Sequence, residues 1–177
     1  MVVDYTGARD VLHSRLQAIF DPERFAELYP GTAQAPRVYL GFPVTEPPFY
    51  AAVDEIIDSA DATGGASMGH QTVTFQLHVW LCAQHSSLKE ASDALLAYTD
   101  AVFGAVIADP QLNRTVDNSF AAIETAGTAA DPSKRYVAAA SVSVTCTVYA
   151  ACPAGLMAAV RADNERISEE EDASESG

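Results

Sequence analysis

The chain has 177 residues, 49% of them apolar, and its 10 Lys+Arg stand against 24 Asp+Glu for a formal net charge of −14. That length suits one domain with a real core, and an acidic balance without any cluster of Lys and Arg excludes a protein that grips nucleic-acid phosphates. Three cysteines, Cys82, Cys146 and Cys152, are an odd number with no CxxC spacing, which excludes a disulfide framework.

Residues Met1 to Gly7 hold no basic stretch followed by an apolar core, and eighteen consecutive apolar residues occur nowhere. A soluble product of a reducing cytoplasm, with no membrane partner, is therefore expected. From Ala8 to Phe20, apolar residues at Ala8, Val11, Leu12, Leu16, Ile19 and Phe20 make one stripe at helical spacing, ended by Asp21-Pro22. Residues 21 to 36 contain three prolines and a glycine and read as an irregular connection. Arg37 to Val44 alternates around Val38, Leu40 and Phe42, a first strand. Phe49 to Ser59 carries Phe49, Ala51, Val53 and Ile57 on one parity, a second strand, although Ala51 to Ile57 also fits a short helix.

Residues 60 to 69 are small and glycine-rich, a long mobile hairpin tip. In the third strand, Thr72 to Cys82, the odd face of Val73, Phe75, Leu77, Val79 and Leu81 is core, and Thr72, Thr74, Gln76, His78 and Trp80 line the other. Ser87-Leu88-Lys89-Glu90 has the capping-box form and opens the main helix, which Asp109-Pro110 closes. Its buried stripe is predicted as Leu88, Ala91, Leu95, Tyr98, Val102 and Val106, widened by Leu96, Phe103 and Ile107. Thr115 to Thr125 and Tyr136 to Tyr149 read as the last two strands, joined by a loop from Gly127 to Lys134.

Gly155 to Val160 suits a helical turn or two, and the acidic, polar end of the chain is expected to be disordered. The reading is one domain over 1–160 and an acidic tail over 161–177. From Asp163 onward, seven acidic residues stand against Arg166 alone, so the last fifteen residues carry −6 of the −14. The order of helix, three strands, helix and two strands predicts an α+β fold. It consists of one mainly antiparallel, twisted sheet of four to five strands with an N-terminal helix and a long central helix packed on it.

Convergent chemistry is missing from this pattern, and no catalytic, cofactor-binding or metal-binding residue is assigned. His70 and His78 lie eight residues apart on one strand, roughly 26 Å at about 3.3 Å per residue, too far to share an ion. Nothing near Cys82 lowers its pKa, and a buried cysteine is usually a small apolar residue. Ser67 and His70 lack a nucleophile elbow. Gly64-Gly65 is followed by no Lys-Ser/Thr and no helix start, so it is no phosphate cradle. Asp54, Asp58 and Asp61 lack the glycine and terminal glutamate of a calcium loop. Trp80, on the polar parity of its strand, must be covered, either by the N-terminal helix or by another subunit.

Strand 72–82, the capped helix 87–107 with its Asp109-Pro110-Gln111-Leu112 exit, the Ile123-Glu124-Thr125-Ala126-Gly127 strand end and the alternating Ser141 to Tyr149 together resemble the tail terminator proteins of long non-contractile-tailed bacteriophages. The similarity spans roughly residues 5 to 150 and is one of element order and patterning. It implies a homo-hexameric ring at the head-proximal end of the virion's tail, made in the host cytoplasm, which stops tail tube protein from polymerising and presents a surface to the head-tail connector protein. It also implies a channel that DNA traverses without specific binding, and no cofactor. The family carries no catalytic motif to transfer, so the interface candidates come from this sequence alone: Gly64, Gly65 and Met68 at the hairpin tip, and His78 and Trp80 on the second sheet face. Another head-tail or tail-tube component is the nearest alternative, and a small acidic monomeric binding module a more distant one.

Overall fold

The alternation from Thr72 to Leu81 builds the strand around which the rest is arranged. In the computed structural model, which describes residues 3–32, 34–45, 47–55, 57, 60–63, 70–130, 135–151 and 154–163, this is β4, His70–His85. Before it come α1 (Tyr5–Ile19), α2 (Pro22–Leu28), β1 (Arg37–Leu40), β2 (Phe49–Val53) and β3 (Ala60–Thr63). After it come α3 (Leu88–Ala108), β5 (Asn118–Ala130), β6 (Tyr136–Ala151) and a terminal helix, α4, over residues 154–163. The sheet has six strands in the order β1-β2-β4-β6-β5, with β3 also paired to β4. All pairings are antiparallel except β1 with β2. The α+β class and the mainly antiparallel sheet with a long helix on it are as the sequence predicts, with one more strand and additional short helices.

β4 and β6 pair along their full length, from His70↔Ala151 to His85↔Tyr136. Val73, Phe75, Leu77, Val79, Leu81 and Ala83 are buried, as are Cys146, Val144, Val142, Ala140 and Ala138 opposite the last five. These residues form one face, and α1 and α3 close it with Ala8, Leu12 and Leu16 from the first helix and a run of small and branched residues from the second. Five alanines of α3 (Ala91, Ala94, Ala97, Ala101, Ala105) are buried there, which lets the helix axis settle close to the sheet. By length and composition α3 is apolar enough to cross a bilayer, and more than half of that stretch is buried in this core.

The expected width of that buried side is corrected. Leu88, Leu96 and Ile107 are 45%, 66% and 74% exposed, and Phe103 is half-buried. The sheet needs only the Ala91–Leu95–Tyr98–Val102–Val106 side, so Leu88 at the start of the stripe and the widening residues Leu96 and Ile107 stand outside it, while Phe103 alone of the widening residues packs against the core. The capping box also forms by halves. Ser87 accepts from the Glu90 amide at 3.5 Å, whereas the Glu90 carboxylate turns to His85 Nδ1 at 2.6 Å.

The 21–36 connection contains a helix that the sequence reading missed. Asp21 accepts from the amides of Glu23 and Arg24 at 3.2 and 3.3 Å, and Pro22 stands in the first turn, where its missing N–H costs nothing. Asp21-Pro22 thus ends α1 and starts α2. α2 exists to seat Phe25, whose ring lies 5.6 Å from Phe20, 4.9 Å from Tyr29 and 5.7 Å from Tyr98. The Tyr98 hydroxyl donates to the Gln34 carbonyl, and burial pushes its pKa up.

The predicted second strand stops at Val53 and resumes as β3, so both pieces lie on the same side of β4, at 79–83 and 72–75. Residues 60–63 therefore belong to a strand rather than to the hairpin tip. β1 is shorter than expected, ending at Leu40, because Gly41 turns the chain with φ +75°. After α3 the chain passes through three consecutive left-handed residues, Leu112, Asn113 and Arg114 (φ 44°, 56° and 66°). Asp109 holds this turn, accepting from Asn113 N at 2.8 Å, Gln111 N at 3.1 Å and the Arg15 guanidinium. The turn pushes the start of β5 to Asn118 and its end to Ala130.

Replacing Phe25 with alanine empties the aromatic cluster and should cost about 3–5 kcal/mol in urea unfolding; a loss under about 1 kcal/mol would mean that α2 is not part of the core. The Arg15 guanidinium, with two backbone amides, holds the Asp109 carboxyl below its ordinary 3.8. A depressed folded pKa contributes stability above the unfolded value, lost as pH falls through the folded one. Asp109→Asn should therefore be less stable than wild type at neutral pH, with the gap closing below about pH 4 in thermal melts.

Candidate assembly surfaces

The second face of the sheet carries the even residues of β4, and its cover comes from the chain itself rather than from α1. The Trp80 ring packs on Phe42, with centroids 5.5 Å apart, and its Nε1–H donates to Asp54 Oδ2 at 3.0 Å. Tyr50, Ala52 and Cys82 form a small buried cluster beside it, joined by Tyr39 and Val137. Gly41 makes this possible, since the turn it allows brings Phe42 back over the face.

His78 is only 5% exposed. Its Nδ1 lies 3.1 Å from Glu124 Oε2, and the Ser141 hydroxyl donates to the same oxygen at 3.2 Å. Glu124 reaches them because a β-bulge interrupts the β5–β6 register between Ile123 and Thr125, and the extra residue turns toward the second face. The bulge was not legible in advance, but its signal was present: Glu124 is the single charged residue in a strand of thirteen.

The other expected sites fall as follows. Gly64, Gly65, Met68, Ser67, Asp58 and Cys152 lie outside the described residues; β3 and β4 are paired up to Thr63↔Thr72. His70 stacks on Tyr149 at 5.4 Å, and His85 pairs with Glu90, so the structure brings neither to His78. Asp54 serves Trp80, and Asp61 sits in β3 opposite Thr74. Among the described residues no three His, Cys, Asp or Glu side chains converge as a metal site would require. Burial pushes the Cys146 thiol up to about 12, which keeps it protonated and a poor nucleophile.

What the molecule leaves uncovered is more informative. β5 is the terminal strand of the sheet, thirteen residues long without a proline, and every residue from Ala122 to Ala130 is exposed. Edge strands are normally blunted by charge, proline or shortness. β1 and β3, at four residues each, are blunted by shortness; β5 is not, and its one carboxylate is already held by His78 and Ser141. Beside it runs a shallow groove of about 310 Å³, walled by Tyr50 and Trp80 and floored by Thr125, Ala126, Gly127 and Ala139. Phe120 and Tyr149 stand exposed on the same face. In a chain of net charge −14, this region has the low charge and, at Phe120 and Tyr149, the exposed aromatics of an interface core. No protein-family model and no curated protein matches the chain.

Glu124→Ala removes the acceptor shared by two buried polar side chains and should destabilise the fold by about 1–3 kcal/mol, read by chemical denaturation. An unchanged midpoint would show that the bulge carboxylate is dispensable.

Proposed function

We propose that this chain is a structural assembly protein of the tail-terminator kind: a ring that caps the head-proximal end of a phage tail tube, halts tube growth and offers a surface to the connector. The observation that carries the reading is the open edge of β5, long, nearly uncharged and backed by an exposed apolar face. A ring needs one patch on each subunit that meets a different patch on its neighbour. β5 provides unpaired backbone donors and acceptors for one half of such a contact; β1 and β3 are too short to pair along its length, so in a ring the patch that receives it is another surface of the neighbour. The acidic balance fits a channel for DNA, because like charge discourages phosphate from adhering. The element order and patterning over roughly residues 5 to 150 supply the particular family.

Electron micrographs of the purified protein, alone and with its tube protein, test this. Six-fold rings seated on tube ends are expected. Long tubes formed by this chain itself would assign it to the tube instead, and a monomer that persists with tube protein present would favour a small acidic binding module. In gel filtration, Ala126→Lys with Thr128→Lys should shift the ring to monomer while leaving the circular dichroism spectrum unchanged, since both residues are exposed.

A further inference from the structure

Among the described residues, the only non-glycine positions with positive φ stand in succession between α3 and β5: Leu112, Asn113 and Arg114, at 44°, 56° and 66°. An L residue in this left-handed region brings its Cβ against the following carbonyl oxygen. Asn tolerates that through its short polar side chain, whereas Leu and Arg have no such means, so the turn persists only where its surroundings over-determine it.

Those surroundings converge on Asp109. Its carboxylate accepts from the Gln111 and Asn113 amides at 3.1 and 2.8 Å. Arg15, reaching across from α1, donates to the same carboxylate, to the Asp109 carbonyl at 3.1 Å and to the Ala105 carbonyl at 3.5 Å. α3 has no basic residue in its own last turn, so a guanidinium from another helix caps it. Leu112, fully buried, fixes the turn from the core side.

We propose that this turn is a strain-loaded latch on the margin of the sheet. While Arg15 and Asp109 stay paired, the turn is held left-handed and the front half of β5, Asn118 to Ile123, lies docked on β6; when the pair parts, the turn relaxes and that half-strand lifts away.

The half-strand is bounded as a unit that moves. One end is the strained turn, and the other is the bulge between Ile123 and Thr125, where the ladder is already interrupted. Little side-chain burial holds it down: only Ser119 is buried and Ala121 half-buried, while Phe120 and Ile123 are 55% and 51% exposed. Segments with few buried contacts open at the low end of local stability. Lifting this one leaves Val142 to Thr147 of β6 without their partners, a stretch of open backbone that fits a strand from another chain. A cleft of about 440 Å³, lined by Gly7, Asp10, Val11, Ser14, Arg15 and Asn113, gives access to both sides of the latch. The device lies within one subunit and operates with or without a ring.

Hydrogen exchange on the full chain tests it. Arg15→Gln should speed exchange of the protected amides between Asn118 and Ile123 at least tenfold, while those of β4 from Phe75 to Leu81 keep the wild-type rate. Adding Arg114→Gly removes strain at an exposed position without disturbing a buried side chain, and should recover more than half of the lost protection. A smaller recovery would mean that the pair holds the turn by contact alone, and overturns the stored strain. Unchanged exchange in Arg15→Gln overturns the latch, and an acceleration shared equally by β4 overturns the local opening.

Discussion

The pairing of β4 with β6 is the constraint on which the rest depends. Both strands alternate through their central stretches, and the observed register sets their apolar parities on one face, Phe75 against Cys146 and Val79 against Val142. A slip by one residue would turn the buried valines and leucines of one strand to the opposite face. With the register fixed, α3 has a flat apolar floor, α1 has a ridge to lean on, and the even residues are committed to the second face. The position of His78 beneath Glu124 and of Trp80 beneath Phe42 then follows from parity rather than from any local preference.

Elements with strong periodicity were legible in the sequence. β4, α3 and β6 were placed to within a few residues because alternation or a 3.6-residue stripe runs through each without interruption. Where one local signal had two meanings, the reading failed. Asp21-Pro22 stops one helix, yet Asp as cap and Pro in the first turn also start another, and only the need to bury Phe25 decides between them. Phe49 to Ser59 kept one parity, but continuous parity cannot reveal that a strand leaves its partner after Val53 and returns at Ala60.

The width of an apolar stripe was the third ambiguity. Leu96 and Ile107 sit close enough to the core side of α3 to be counted with it, and whether they are buried depends on a layer that a single sequence does not specify. The candidate surfaces were missed for a related reason. An uncharged strand such as β5 looks the same in sequence whether it lies inside a sheet or at its margin, and margin status depends on topology. Trp80 was correctly singled out as needing cover, and the cover proved to be Phe42 and Asp54, neighbours brought back by the turn at Gly41.

The β4–β6 pairing also sets a timetable. His85 and Tyr136 are joined across α3 and β5, whereas β5 and β6 are separated only by a short connection. Closing the long loop costs entropy before any of its contacts form, so the β5–β6 hairpin and α3 are the early, local structures and the sheet's centre is the late one. During that interval the margin of β5 and both sides of the β6 hairpin are open to any strand nearby. A newly made chain thus passes through its most adhesive state before its own centre has formed, and dilution while it folds matters more to recovery of soluble protein than the stability of the finished molecule.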